Sequence, residues 1–261
     1  MKRLLSFFLF CVLGVVGTLA QHPKLLLTKE ELGYMKQHMN EVPAFGRVVD
    51  DLLKKADEAC AAAIQIPTPV DGGGGAVHEQ HKSNYYAMFH AGLAYQYTGH
   101  KKYADFVAQM LMEYAQKYPK WGLHPVNLSP VPGRLFWQTL NESVWLVHTA
   151  MAYDCVYDAL SAKQRKFIEK NLLFNMADFI MNGYGDCKGN HEMFNRMHNH
   201  ATWATSAVGM VGMTTGNQSL VRKALYGTDE TGKKGGFLRQ MDHLFSPDGY
   251  SVSYTHLTLP T

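Results

Sequence analysis

The segment "FNRMHNHATW" at 194–203 sets His198, Asn199 and His200 in succession, with His191 and Arg196 upstream and Trp203 downstream. That density of imidazole and carboxamide admits two chemistries: metal ligation, or acid–base work on a carboxylate. His191, His198 and His200 would supply three imidazole ligands. Yet His198 and His200 alternate along an extended segment and are expected to face opposite sides. The other histidine pair, "HEQH" at 78–81, has its histidines three apart where a zinc-protease helix needs four. It also follows the Gly-rich "DGGGG" at 71–75, expected to be a flexible loop and a poor helix start. No metal or other cofactor is therefore expected. A nucleophile elbow, a phosphate loop and a dinucleotide fingerprint are all missing from the sequence.

Acid–base chemistry suits Asn199 and His200 better. They stand at the start of an apolar-periodic stretch, so both can aim hydrogen bonds at one anionic group where the first-turn amides favour negative charge. Neutralising a carboxylate makes the neighbouring C–H acidic, because the proton leaves only if the enolate-like charge is held. The plainer alternative makes Asn199 a helix N-cap and leaves His200 in packing. A second polar set lies in "GRLFWQTLNESVWLVH" at 133–148. Arg134, Gln138 and Asn141 are spaced by four and three, which is expected to put them on one face of a helix beginning there. Trp137, Asn141 and Trp145 recur every four residues, and amides with indoles suit sugar binding. The alternative is an amphipathic helix whose Trp145 belongs to the core.

Helical periodicity positions these residues. Thr28 and Glu31 form a capping-box signature ahead of a helix from about Lys29. Spacings of three and four continue through 45–64, 84–99, 103–118 and 135–160. Gly99 and His100 punctuate a hairpin, and Ser161 with Gln164 caps a helix running to about Asn182. Further helices are expected at 199–215, 219–226 and 237–245. Strand-like alternation is nearly absent, so the chain reads as all-α. The repeated hairpins imply an incomplete α/α toroid, or a stacked solenoid, although no fixed repeat length is evident. Loops at 66–81, 119–133 and 182–195 are expected on one side of the hairpins, where chemistry concentrates.

Of the 261 residues, 46% are hydrophobic and 18% charged, enough to bury a substantial core. Lys2 and Arg3 precede an apolar run over 4–16 and a small-residue site at 18–20, the pattern of a secretory signal peptide over 1–20. The run is shorter than the roughly 20 residues a membrane span needs. The expected destination is the periplasm, with no membrane association once the leader is removed. Without Lys2 and Arg3 the net charge of +3 falls to +1, which gives no general attraction to nucleic acid. Cys60, Cys155 and Cys187 are too widely spaced for a zinc site or a dense disulfide framework.

The motifs "FNRMHNHATWATSAVGMVGM", "GRLFWQTLNESVWLV", "AYDCVYDALS", "HEQHKSNY", "KALYG" and "FSPDGY" resemble those of the exolytic oligoalginate lyases, within the wider heparinase and alginate lyase group. The likeness runs in order over about 23–250, and Asn-His is its most diagnostic element. It implies an α/α-toroid domain over 21–250, followed in the family by a C-terminal β-sheet domain. It also implies β-elimination on alginate or a related uronate oligosaccharide. Asn199 and His200 match the family's carboxylate-neutralising positions, Arg134 matches a basic substrate-contacting position, and Gln138 and His198 share the same motifs. The resemblance puts the catalytic tyrosine six residues after Tyr250, where this sequence has His256. The stretch 251–261 departs from the family pattern and is expected to be non-native, leaving the chain inactive alone. Two alternatives are a glycosaminoglycan lyase of the same fold and a non-catalytic uronate-binding helical module. A glycoside hydrolase would need two paired carboxylates, for which Glu79, Glu142 and Glu192 are available.

Overall fold

The computed structural model describes residues 21–39, 41, 43–126, 128–183 and 189–246, without the side chains of 189–191. The expected leader at 1–20, the tail at 251–261 with His256, and Cys187 lie outside the described residues, as does the His191 side chain. The helices are α1 (Lys29–His38), α2 (Pro43–Ala61), α3 (Ala76–Thr98), α4 (Lys101–Lys117) and α5 (Thr139–Val156). Then come α6 (Ala162–Ile168), a π-helical segment (Glu169–Leu173), α7 (Phe174–Asn182), α8 (Gly189–Phe194), α9 (Asn199–Thr215), α10 (Gln218–Tyr226) and α11 (Phe237–Leu244). No extended strand forms among the described residues, and none of their helices is long and apolar enough to cross a membrane.

Local chemistry sets many of the boundaries. The Thr28 hydroxyl accepts from the Glu31 amide while the Glu31 carboxylate accepts from Thr28, and Ser161 and Gln164 repeat the exchange. Each such cap is worth about 1 kcal/mol. Gly99 ends α3 at φ 73°, a left-handed conformation that glycine enters without steric cost.

Helices α3, α5 and α9 form an inner layer, with α5 packed between the other two. Outer helices back them: α2 and α4 on α3, and α10 on α9. The inner helices run parallel. Near the amino end of α3, His81 Nδ1 lies 2.8 Å from the Tyr114 hydroxyl at the carboxyl end of α4. Near its other end, Gly92 abuts Ala152 and Cys155 of α5, where an added Cβ would lie 3.2 Å from Cys155 Cβ. Likewise Thr214, late in α9, donates to Asp154, late in α5, at 2.9 Å. All three amino ends therefore open on one rim.

The core follows from that layering. Trp145 of α5 is fully buried and meets Tyr114 edge-on at 4.7 Å, an aromatic pair worth about 1 kcal/mol beyond its buried area. Trp145 thus belongs to the core rather than to a sugar-facing stripe. Cys60 and Cys155 are both free thiols.

The opposite end of the layer is closed by the N-terminal segment. The Asp154 carboxylate, 1% exposed, accepts from the amides of Lys24 and Leu25 at 2.6 and 2.8 Å and sits 2.6 Å from His22 Nδ1. Burial pushes its pKa up, but these bonds and that from Thr214 outweigh burial and hold it below the ordinary carboxylate value. His22 also stacks on Tyr157 at 3.7 Å.

Candidate functional site

The rim carries the residues singled out in the sequence. Helix α9 starts at Asn199, and its N-cap is His198 in extended conformation, with Nδ1 accepting the His200 amide at 3.2 Å. The capping atom is a ring nitrogen that accepts through its lone pair. Asn199 is the first helical residue and not the cap. The His198 and His200 rings meet edge-on with centroids 4.7 Å apart. The expectation that they face opposite sides fails because the chain turns from extended to helical between them. Burial, then the neighbouring His198, lowers the His200 pKa and favours the neutral imidazole, and its buried Nδ1 has no hydrogen-bond partner among the described residues. No acidic residue sits in the first turn of α9, so the helix dipole is not offset from within that turn.

Helix α5 begins at Thr139, four residues later than the periodicity predicts. Arg134 and Gln138 therefore precede it and share no helical face with Asn141. Glu142 causes this: its carboxylate accepts from the amides of Arg134 at 2.7 Å and Leu135 at 3.2 Å, and from the Tyr118 hydroxyl at 2.6 Å. It ties 133–138 into a turn so tight that a Cβ on Gly133 would lie 2.5 Å from Glu142 Oε2. Arg134, 4% exposed, spends its guanidinium inward, from Nε and Nη2 to the carbonyl of Trp121, from Nη2 to that of Tyr118 and from Nη1 to Asn175 Oδ1. Gln138 is half-buried, with its amide on Asn141 Oδ1 at 2.9 Å.

The "HEQH" motif lies in the first two turns of α3, correcting the expected loop. Asp71 makes the helix possible by reaching forward six and seven residues to accept the amides of Val77 and His78 at 2.9 and 2.8 Å. His78 and His81 both meet Phe136 edge-on, at 4.9 and 6.0 Å, and so brace the turn that carries Trp137 and Gln138. Burial first, then His78, pushes the His81 pKa down to about 4. Burial also lowers the pKa values of His78 and His124. Sequence reasoning missed this imidazole cluster, although two histidines three apart share a face once the segment is helical. Among the described residues no three or more metal-type side chains gather as ligands.

The carboxylates proposed for a hydrolase do not pair. Glu142 is fully buried, while Glu79 and Glu192 form exposed ion pairs with Lys82 and Arg196.

A scaffold of helical hairpins with an amide and an imidazole at one inner amino end defines a class. The family model described as "Alginate lyase" matches residues 37–253, and the chain belongs to that family. It is 42% identical over 229 residues to an exo-oligoalginate lyase of Saccharophagus degradans, covering 88% of this chain and 30% of that protein. It is 48% identical over 189 residues to an alginate lyase of Stenotrophomonas maltophilia, covering 72% and 24%. The chain thus spans less than a third of the curated relatives it matches. The crystal structure of an alginate lyase from Bacteroides ovatus shares the fold, with a TM-score of 0.59 at 15% identity over 88% of this chain and 69% of that one.

Proposed function

We propose that this chain is part of an exported polysaccharide lyase that cleaves alginate oligosaccharides by β-elimination. The observation that carries the reading is the Asn199–His200 pair in the first turn of α9, at an amino end with no acid of its own. A uronate carboxylate placed there meets the carboxamide, a neutral imidazole and the positive end of the helix dipole together. With its charge held, the adjacent C–H loses its proton more readily and the enolate-like intermediate is stabilised. Gln138 and His198 lie at the amino ends of α5 and α9, on the same rim, as candidates to grip sugar hydroxyls. Arg134 contributes through the turn it braces. No cofactor enters this scheme. The proton donor is the tyrosine that the family resemblance puts six residues after Tyr250, so the chain with His256 is expected to bind without turning over. The named activities of the relatives support the same chemistry. The apolar run behind Lys2 and Arg3 supports export to the periplasm.

The test is made in a protein that carries the tyrosine continuation, with alginate and heparan sulfate oligomers side by side. Asn199→Ala is expected to cut turnover on alginate by roughly 100-fold or more, as for loss of one preorganised charge-stabilising donor. A rate near that of the parent removes Asn199 from the mechanism, and preference for heparan sulfate moves the substrate to glycosaminoglycan.

A further inference from the structure

Helix α9 carries a stripe that stays open among the described residues. Trp203, Ser206, Met210 and Met213 recur at intervals of three and four and so share one face, with Trp203 40% and Met213 47% exposed. Beside them a groove of about 200 Å³ runs between α9, α10 and the start of α11, walled by Leu25, Met210, Met213, Val221, Leu225 and Phe237. Its floor is small, since Gly209 and Ala224 meet there and a Cβ on Gly209 would lie 3.2 Å from that of Ala224. No charged side chain lines it, and the Thr205 hydroxyl at its edge is committed to the Ala201 carbonyl at 2.9 Å and Gln240 at 3.1 Å. Such a groove suits aliphatic and aromatic side chains.

The chain itself delivers an occupant. Leu25 is part of the wall, and its amide and that of Lys24 are held on Asp154, to which Thr214, late in α9, also donates. The residues ahead of His22 are therefore released at the Met213 end of the stripe. The five residues 17–21 reach at most about 17 Å from there. Ahead of them lies the uncharged run "LLSFFLFCVLGVV" at 4–16, which covers about 20 Å even at a helical rise, against about 25 Å for the 17 residues of α9. Residues 247–261 fit less well. They follow the end of α11 remote from Phe237, and they are rich in hydroxyls and include Asp248 and His256.

We infer that residues 4–16, while attached, dock in this groove and along the α9 stripe, so that the expected leader covers an apolar face of the domain behind it. Tethering supplies an effective concentration on the order of millimolar, so modest apolar contacts suffice. Folding of this helical layer and presentation of the leader are then mutually exclusive, and removal of the leader bares the stripe. The inference is independent of the lyase reading.

Cys11, inside the apolar run, is a built-in probe. In the full chain carrying Cys60→Ser and Cys187→Ser, Met210→Cys or Met213→Cys is expected to form an intrachain disulfide with Cys11 under copper phenanthroline and air, seen as a faster band on a non-reducing gel. Cys155 is buried, and Val48→Cys on α2, at a position 67% exposed, should give no such link. Phe10→Asp/Leu13→Asp should abolish the link and speed peroxide oxidation of the native Met213 about fivefold or more, as for a site otherwise covered most of the time, with the melting temperature unchanged. Absence of an intrachain link from both positions, or Met213 oxidation unmoved by the two charges, overturns the docking. Links between chains in place of the intrachain one assign the groove to a second copy and overturn it equally.

Discussion

The two ends of the inner helices differ in how their polar groups are spent. At the carboxyl ends of α5 and α9, Asp154 collects His22, two backbone amides and Thr214, and each bond serves closure of the fold. At the amino ends, His78 Nδ1 and His200 Nδ1 are buried without hydrogen-bond partners among the described residues. A buried polar atom left unpaired costs about 1–3 kcal/mol, so one end maximises stability while the other carries a standing cost. Such a cost marks where a fold keeps groups for something other than itself.

Breaking the satisfied end should produce the largest effect. Asp154→Ala strands the buried His22 and two half-buried amides, and is expected to destabilise the chain by roughly 3–5 kcal/mol in denaturant unfolding. A loss under about 1 kcal/mol would mean the N-terminal segment is not a stabilising part of the fold.

Acidification should act on the other end. His81 is neutral when folded, with its pKa near 4 against an unperturbed 6.5, so the unfolded chain binds the extra proton between those values. Stability from this residue is full above about pH 6.5 and is lost as pH falls toward 4, by about 3 kcal/mol in all. His78, His124 and His200 shift in the same sense. Unfolding free energies measured from pH 7 to 4 should fall, and His81→Gln should flatten the slope; an unchanged slope assigns the acid sensitivity elsewhere.

The smallest effect separates stability from binding most sharply. His198→Asp puts a strong helix cap and a negative charge at the α9 amino end, which should stabilise the chain by about 0.5–1 kcal/mol. The same charge should repel a uronate, so a raised melting temperature with weakened alginate-oligomer binding is the expected pair of results. Tighter binding would show that no anion approaches this helix end.

Much of the scaffold was legible because its signals are local. Both capping boxes, the Gly99 stop and the bounds of α9 depend on residues within a few positions of each other. What escaped was set by side chains reaching across the sequence. Asp71 caps a helix from six residues upstream, and Glu142 unwinds the turn before its own helix by taking the amides of Arg134 and Leu135. The inward partners of Arg134, expected from the resemblance to be a substrate-contacting position, lie at Tyr118, Trp121 and Asn175 and cannot be inferred from spacing. Asn199 and His200 were visible as a pair, but their neighbour His198 as the cap was not, since histidine is a rare choice for that place.

The His22–Asp154 clamp joins residues 132 apart in the chain. Contacts of that reach cost loop entropy early and are rewarded only once the intervening helices have assembled. Docking of the N-terminal segment is accordingly a late event that reports a finished core. A fusion partner attached just ahead of residue 22 would act as a wedge against that last step, felt first in the yield of refolded protein.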